Sequence, residues 1–142
     1  MVNKIIDGIS IKINELFGDN YYIYSENVKQ GFKEPCFFIS LLKPSSTPKL
    51  GNRSLREYNF VIQYFPSSSN SKNAEMYDVS EKLISGLEYI SFENKLLRGS
   101  KIKAEIVDDV LNFFIKYSLF VVQKEDDEEL FGSLQLIQKL KS

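Results

Sequence analysis

The sequence predicts an α+β fold: one mixed, mostly antiparallel β-sheet flanked by helices, in the order helix, three strands, helix, a short strand, two strands, helix. Three observations lead there. The stretch 101–122, KIKAEIVDDVLNFFIKYSLFVV, alternates with period two on either side of Asp108-Asp109 and reads as two strands folded back on each other. Apolar residues recur at three- and four-residue steps at the N-terminus, over 73–87 and over 130–140. Between them lie short aromatic or apolar runs bounded by Gly, Pro, Asn and Ser.

Val2, Ile5, Ile6, Ile9, Ile13, Leu16 and Phe17 share one helical face, and Gly18 stops that helix. Gly8 inside it costs about 1 kcal/mol relative to alanine. A short aromatic strand follows over 21–24 (YYIY), then a connection over 27–33. Pro35 opens the strand 36–42 (CFFISLL), which is apolar on both faces and therefore expected inside the sheet. The segment 43–53 (KPSSTPKLGNR) holds Pro44, Pro48 and small polar residues, so it is expected to be a long exposed loop or a wide hairpin tip. Alternation returns over 55–65, with Tyr58, Phe60, Ile62 and Tyr64 on one face, and PSSSN ends that strand.

The second helix, 73–87, places Met76, Tyr77, Leu83, Ile84 and Leu87 on its apolar side and Glu75 and Asp78 in its first turn, where they suit the helix dipole. A short strand over 89–92 precedes a turn expected at Arg98-Gly99. In the strand pair 101–122, Ile102, Ala104 and Ile106 face inward, followed by Leu111, Phe113, Ile115, Tyr117, Leu119 and Val121. The opposite side of the second strand becomes apolar toward Phe120 and Val122, so this strand is expected inside the sheet with its end covered. Residues 123–142 form an acidic C-terminal extension, in which EDDEE (125–129) caps a helix bearing Leu130, Phe131, Leu134, Ile137 and Leu140.

A chain of 142 residues with 43% hydrophobic and 13% aromatic content can bury one core, so residues 1–142 are expected to be a single domain. With 18 basic and 19 acidic residues the net charge is -1, and no global field draws the chain to nucleic acid or membrane. The apolar runs are too short for a bilayer span, and Asp7 and Gly8 interrupt the start where a signal peptide needs a continuous apolar region, so a cytoplasmic setting is expected. One cysteine, Cys36, agrees with a reducing compartment and, lying in an apolar strand, reads as a buried inert thiol.

The chain contains no histidine, which removes Ser-His and Cys-His nucleophiles, an imidazole base and histidine-bearing zinc sites. Asp108-Asp109 reads as a turn, and EDDEE lacks the alternating ligands and glycine of a calcium loop. The expectation is a protein that is not an enzyme, with no cofactor and no metal. Lys43, Lys49, Arg53 and Arg56, with Asn52 beside them, make a local basic patch without an acidic residue before Glu57. It suits phosphate or an acidic protein surface, or is an ordinary solvated loop. Stacking of RNA bases on the aromatic strands is disfavoured, because the element order differs from that of sheet-type RNA binders.

Several segments together, GFKEPCFFISLL (31–42), GNR (51–53), FVIQYFP (60–66), LLRG (96–99) and EIVDDVLNFFIKY (105–117), resemble the tail terminator, or tail completion, proteins of Gram-positive phages, prophages and phage-tail-like particles. The resemblance runs from the first helix to about Val122 and lies in core and turn sequences. It implies a structural protein of the virion: a ring, usually a hexamer, that caps the completed tail tube, stops its growth and offers a surface to the neck or head. The partners so implied are further copies of the chain, the tail tube protein and neck, collar or sheath proteins, with assembly in the bacterial host cytoplasm. Alternatives are another small neck or tail-assembly component, a connector or a chaperone, and a small enzyme subunit. The expected interface residues are Lys43, Lys49, Asn52, Arg53 and Arg56, which would grip the tube or the next subunit, with Phe131, Leu134 and Ile137 docking the C-terminal helix.

Overall fold

The structure, a computed structural model, describes residues 1–25, 31–67 and 70–122. They form α1 (Val2–Phe17), β1 (Tyr22–Tyr24), β2 (Cys36–Pro48), β3 (Arg53–Phe65), α2 (Lys72–Gly86), β4 (Tyr89–Phe92), β5 (Lys95–Val107) and β6 (Val110–Val122). This is the expected α+β class and element order. The helix expected over 130–140, and with it Phe131, Leu134 and Ile137, lies outside the described residues. The sheet has the strand order β1-β2-β3-β6-β5-β4. It is mixed: β1 runs parallel to β2, whereas β4/β5 and β5/β6 are antiparallel. The second strand of the 101–122 stretch, β6, is interior, as its apolar content requires.

Contacts divide the chain into two compact units. The first comprises Met1–Pro44 and Glu57–Ser118. Its core is built by period: Ile5, Ile9 and Ile13 from α1, Met76 and Leu83 from α2, and the alternating Leu111, Phe113, Ile115 and Tyr117 of β6 are all buried. Helix α1 packs on α2 and β4, and α2 packs on β5. Gly8 earns its place here, because a Cβ on it would lie 2.6 Å from the Ser91 carbonyl oxygen of β4. The Tyr117 hydroxyl donates to the Leu87 carbonyl at 2.7 Å, tying β6 to the end of α2. At the other end of α2, the Glu75 carboxylate accepts hydrogen bonds from the Tyr64 hydroxyl, the Ser67 backbone N–H and the Ser67 hydroxyl. Phe38, on the face of β2 opposite its neighbours, is covered by Tyr24, Phe32 and Phe65, with ring centroids 5.0 to 5.4 Å away. That second cluster is why 36–42 is apolar on both faces.

Sequence and structure part in four places. Of the long loop or wide hairpin tip expected over 43–53 the structure shows a hairpin, with more strand than expected: β2 continues to Pro48, β3 begins at Arg53, and the turn occupies 49–52, with Gly51 at φ 74° and the Lys49 N–H bonded to the Arg53 carbonyl at 2.8 Å. Prolines are tolerated because this half of β2 is exposed throughout. The turn expected at Arg98-Gly99 lies instead at Glu93-Asn94, both with positive φ (47° and 64°), and β5 passes through Gly99 unbroken. Gly99 is required by packing, since a Cβ there would collide with the Ile115 side chain of β6. Tyr77 and Ile84, expected on the inner side of α2, are 58% and 44% exposed, with Val79 taking the inward position. The expected inward Ala104 is exposed, and at the end of β6, expected to be covered, Phe120 and Val122 are 54% and 63% exposed.

The second unit is described over Ser45–Arg56 and Leu119–Val122, which are the distal half of the β2–β3 hairpin and the end of β6.

Candidate interaction surface

The basic residues singled out in the sequence are divided between the units, Lys43 in the first and Lys49, Arg53 and Arg56 in the second. Lys49 and Asn52 are exposed in the β2–β3 turn, next to Leu50, which is 94% exposed. Arg53, the first residue of β3, is exposed and holds its guanidinium 4.6 Å from the centroid of the Phe120 ring, which explains how an aromatic residue stands in solvent at that point. Arg56 is half-buried on the same strand. Among the described residues none of Lys43, Lys49, Arg53 and Arg56 is in an ion pair. A two-stranded arm that is mostly exposed among the described residues and carries cations outside any ion pair there suits an external surface better than a core.

Lys43 belongs to a different feature. It lines a groove of about 710 Å³ together with Leu42 of β2, Asn59 and Phe60 of β3, Phe114 and Ile115 of β6, and Lys101, Ile102 and Lys103 of β5. The groove therefore crosses β2, β3, β6 and β5 in sheet order. Its position follows from β5. The β5/β6 register slips between Ser100 and Lys103, and Lys101 adopts φ 51°, so a bulge sets the 101–103 side chains over the sheet face that carries Phe114. The Lys103 ammonium lies 5.5 Å from the Phe114 ring centroid. Beyond the groove the same face is polar and paired: Lys116 bonds to Glu57 at 2.6 Å, and the Gln63 amide donates to Asn112 at 3.0 Å. The sequence held a signal for the groove, because Phe114 sits among Asn112, Lys116 and Ser118 on the wet side of β6, but the register slip that delivers Lys101 and Lys103 to it leaves no trace in the period-two pattern.

Chemistry at a nucleophile is not supported at Cys36. It is buried, and burial, with Glu34 nearby, pushes its thiol up to about 11, away from the thiolate that reactivity needs. Among the described residues no three of His, Cys, Asp and Glu come together as a metal site, and no helix is long and apolar enough to cross a membrane.

Comparison with known proteins identifies one family. The family model described as "Phage tail terminator protein" matches residues 4–129. No curated protein matches the chain. One solved structure that resembles it is 15% identical, with a TM-score of 0.43, the match covering 87% of this chain and 96% of that one.

Proposed function

The chain belongs to the phage tail terminator family, and from that membership we propose that it forms a homo-oligomeric ring, a hexamer, on the end of a completed tail tube, where it stops tube growth and presents a surface for the neck or head. The match over 4–129, spanning every element of the described fold, is the observation that carries this reading. A cap needs complementary surfaces and no reacting group, which agrees with a chain that has no histidine and whose thiol is buried. The tube protein and the neighbouring copies are the partners, assembly takes place in the bacterial host cytoplasm, and the ring stays in the finished tail.

Within this reading the β2–β3 arm grips the tube or the next subunit. Lys49, Arg53 and Arg56 on the arm seek carboxylates on the partner, and the prolines at 44 and 48 narrow the freedom the arm loses on docking. The test is tail assembly with and without the protein, followed by negative-stain microscopy and mass measurement of the protein bound to purified tubes. Overlong, uncapped tubes in its absence, and tubes of one length bearing a ring of about six copies when it is added back, are expected. Tubes of normal length without it contradict termination, and absence of the protein from finished particles would make it an assembly chaperone instead.

A further inference from the structure

We propose that the groove crossing β2, β3, β6 and β5 is the docking site for the acidic C-terminal segment, residues 125–140, of a second copy of this chain; the inference rests on the ring-forming reading above. The groove offers an apolar floor at Leu42, Ile102 and Phe114, and ammonium groups at Lys43, Lys101 and Lys103. Leu42 is 49% exposed, and the three lysines are exposed, so the surface is open as it stands. A floor of this kind with a cationic rim selects a ligand that is both acidic and apolar, because an uncharged apolar peptide leaves the lysines unused and a plain polyanion leaves the floor wet.

The chain itself contains such a ligand. EDDEE at 125–129 is followed by Leu130, Phe131, Leu134 and Ile137, with the acids and the apolar residues adjacent in sequence. The described chain ends at Val122, and residues 123–142, fully extended, span at most roughly 70 Å, enough for the segment that begins two residues beyond it to run from one subunit onto another. A groove on one copy and a tail on the next make a head-to-tail contact, the kind that closes into a ring when its rotation permits. The bulge fits this role: it places a lysine in a backbone conformation that side chains seldom adopt, and its effect is to hold Lys101, Ile102 and Lys103 over the groove.

The test uses two full-length variants. One carries Lys101→Glu and Lys103→Glu; the other carries Glu125→Lys, Asp127→Lys and Glu129→Lys. The wild-type chain is expected to self-associate in sedimentation experiments, more weakly as salt is raised. Each variant alone, with an unchanged circular dichroism spectrum, should associate about tenfold or more weakly. An equimolar mixture should recover association, because each tail then finds a groove of opposite charge only on the other chain. A wild-type chain that stays monomeric, variants that associate like wild type, or a mixture that recovers nothing each overturns the proposal. Variants that fail in this assay's predicted way yet still cap tubes limit the contact to ring stability, whereas variants that associate normally and cap tubes remove the docking and leave the capping reading standing. Failure of the wild-type chain to cap tubes removes the capping reading itself.

Discussion

The two halves of β2 make the most instructive contrast in the molecule. Cys36, Phe37 and Ile39 are at most 1% exposed, with the Phe37 ring against those of Phe17 and Tyr64, whereas every residue from Leu42 to Pro48 is exposed. The backbone conformation is the same along the strand; only the side chains change. The first half is stabilised by burial, at about 25 cal/mol for each Å² of apolar surface removed from water, whereas the exposed second half gains little of that term. Burial therefore favours the first half, and substitutions on the exposed half are expected to cost the fold little.

The largest expected effect falls on the buried side of this contrast. Phe113→Ala should destabilise by about 3–5 kcal/mol in urea unfolding, as for other large core aromatics. A loss under about 1 kcal/mol would mean that the inner face of β6 is wrongly assigned.

A smaller effect is expected at Tyr117, whose hydroxyl is buried and bonded to the Leu87 carbonyl. Tyr117→Phe leaves that carbonyl without its partner and should cost about 1–3 kcal/mol. The same site sets a pH dependence. Burial raises the Tyr117 hydroxyl above its ordinary pKa, and burial followed by the bond to Glu75 raises Tyr64. The folded chain thus keeps protons that the unfolded chain releases, so this contribution is complete below about pH 10 and is lost as pH rises beyond it. Tyr64→Phe with Tyr117→Phe should flatten the fall in stability between about pH 9 and 11; an undiminished fall would place its cause elsewhere.

On the exposed side, changes should leave stability nearly untouched. Leu50→Ser, in the β2–β3 turn, should shift unfolding by no more than about 0.5 kcal/mol. A larger shift would show that the arm shares in the core.

The class and order of the elements were legible because they rest on local periods: three- and four-residue steps for α1, period two for β3 and β6, and Asp108-Asp109, both with positive φ, for the turn between β5 and β6. What was illegible depends on neighbours. Pro44, Pro48 and the polar residues around them read as loop, since nothing in a single strand reveals that its exposed half is paired with another. Gly99 read as a turn because a glycine required by the Ile115 side chain looks the same in sequence as one required by φ. The candidate site was half legible. Charge at Lys43, Lys49, Arg53 and Arg56 was visible, but the presence of Lys101 and Lys103 in one groove with Lys43 depends on a register slip between β5 and β6.

The proposal that this chain ends tail tubes through the exposed arm can be put to one direct measurement. Its most direct test is the length distribution of tubes assembled with Arg53→Glu and Arg56→Glu introduced together, once circular dichroism and thermal unfolding match the wild-type chain. Reversing two cations that face a partner's carboxylates costs on the order of 2–5 kcal/mol where the pairs are buried at an interface, enough to empty the tube end at ordinary concentrations. Overlong or uncapped tubes are expected. Tubes of normal length, capped by the doubly reversed chain, would contradict the proposal.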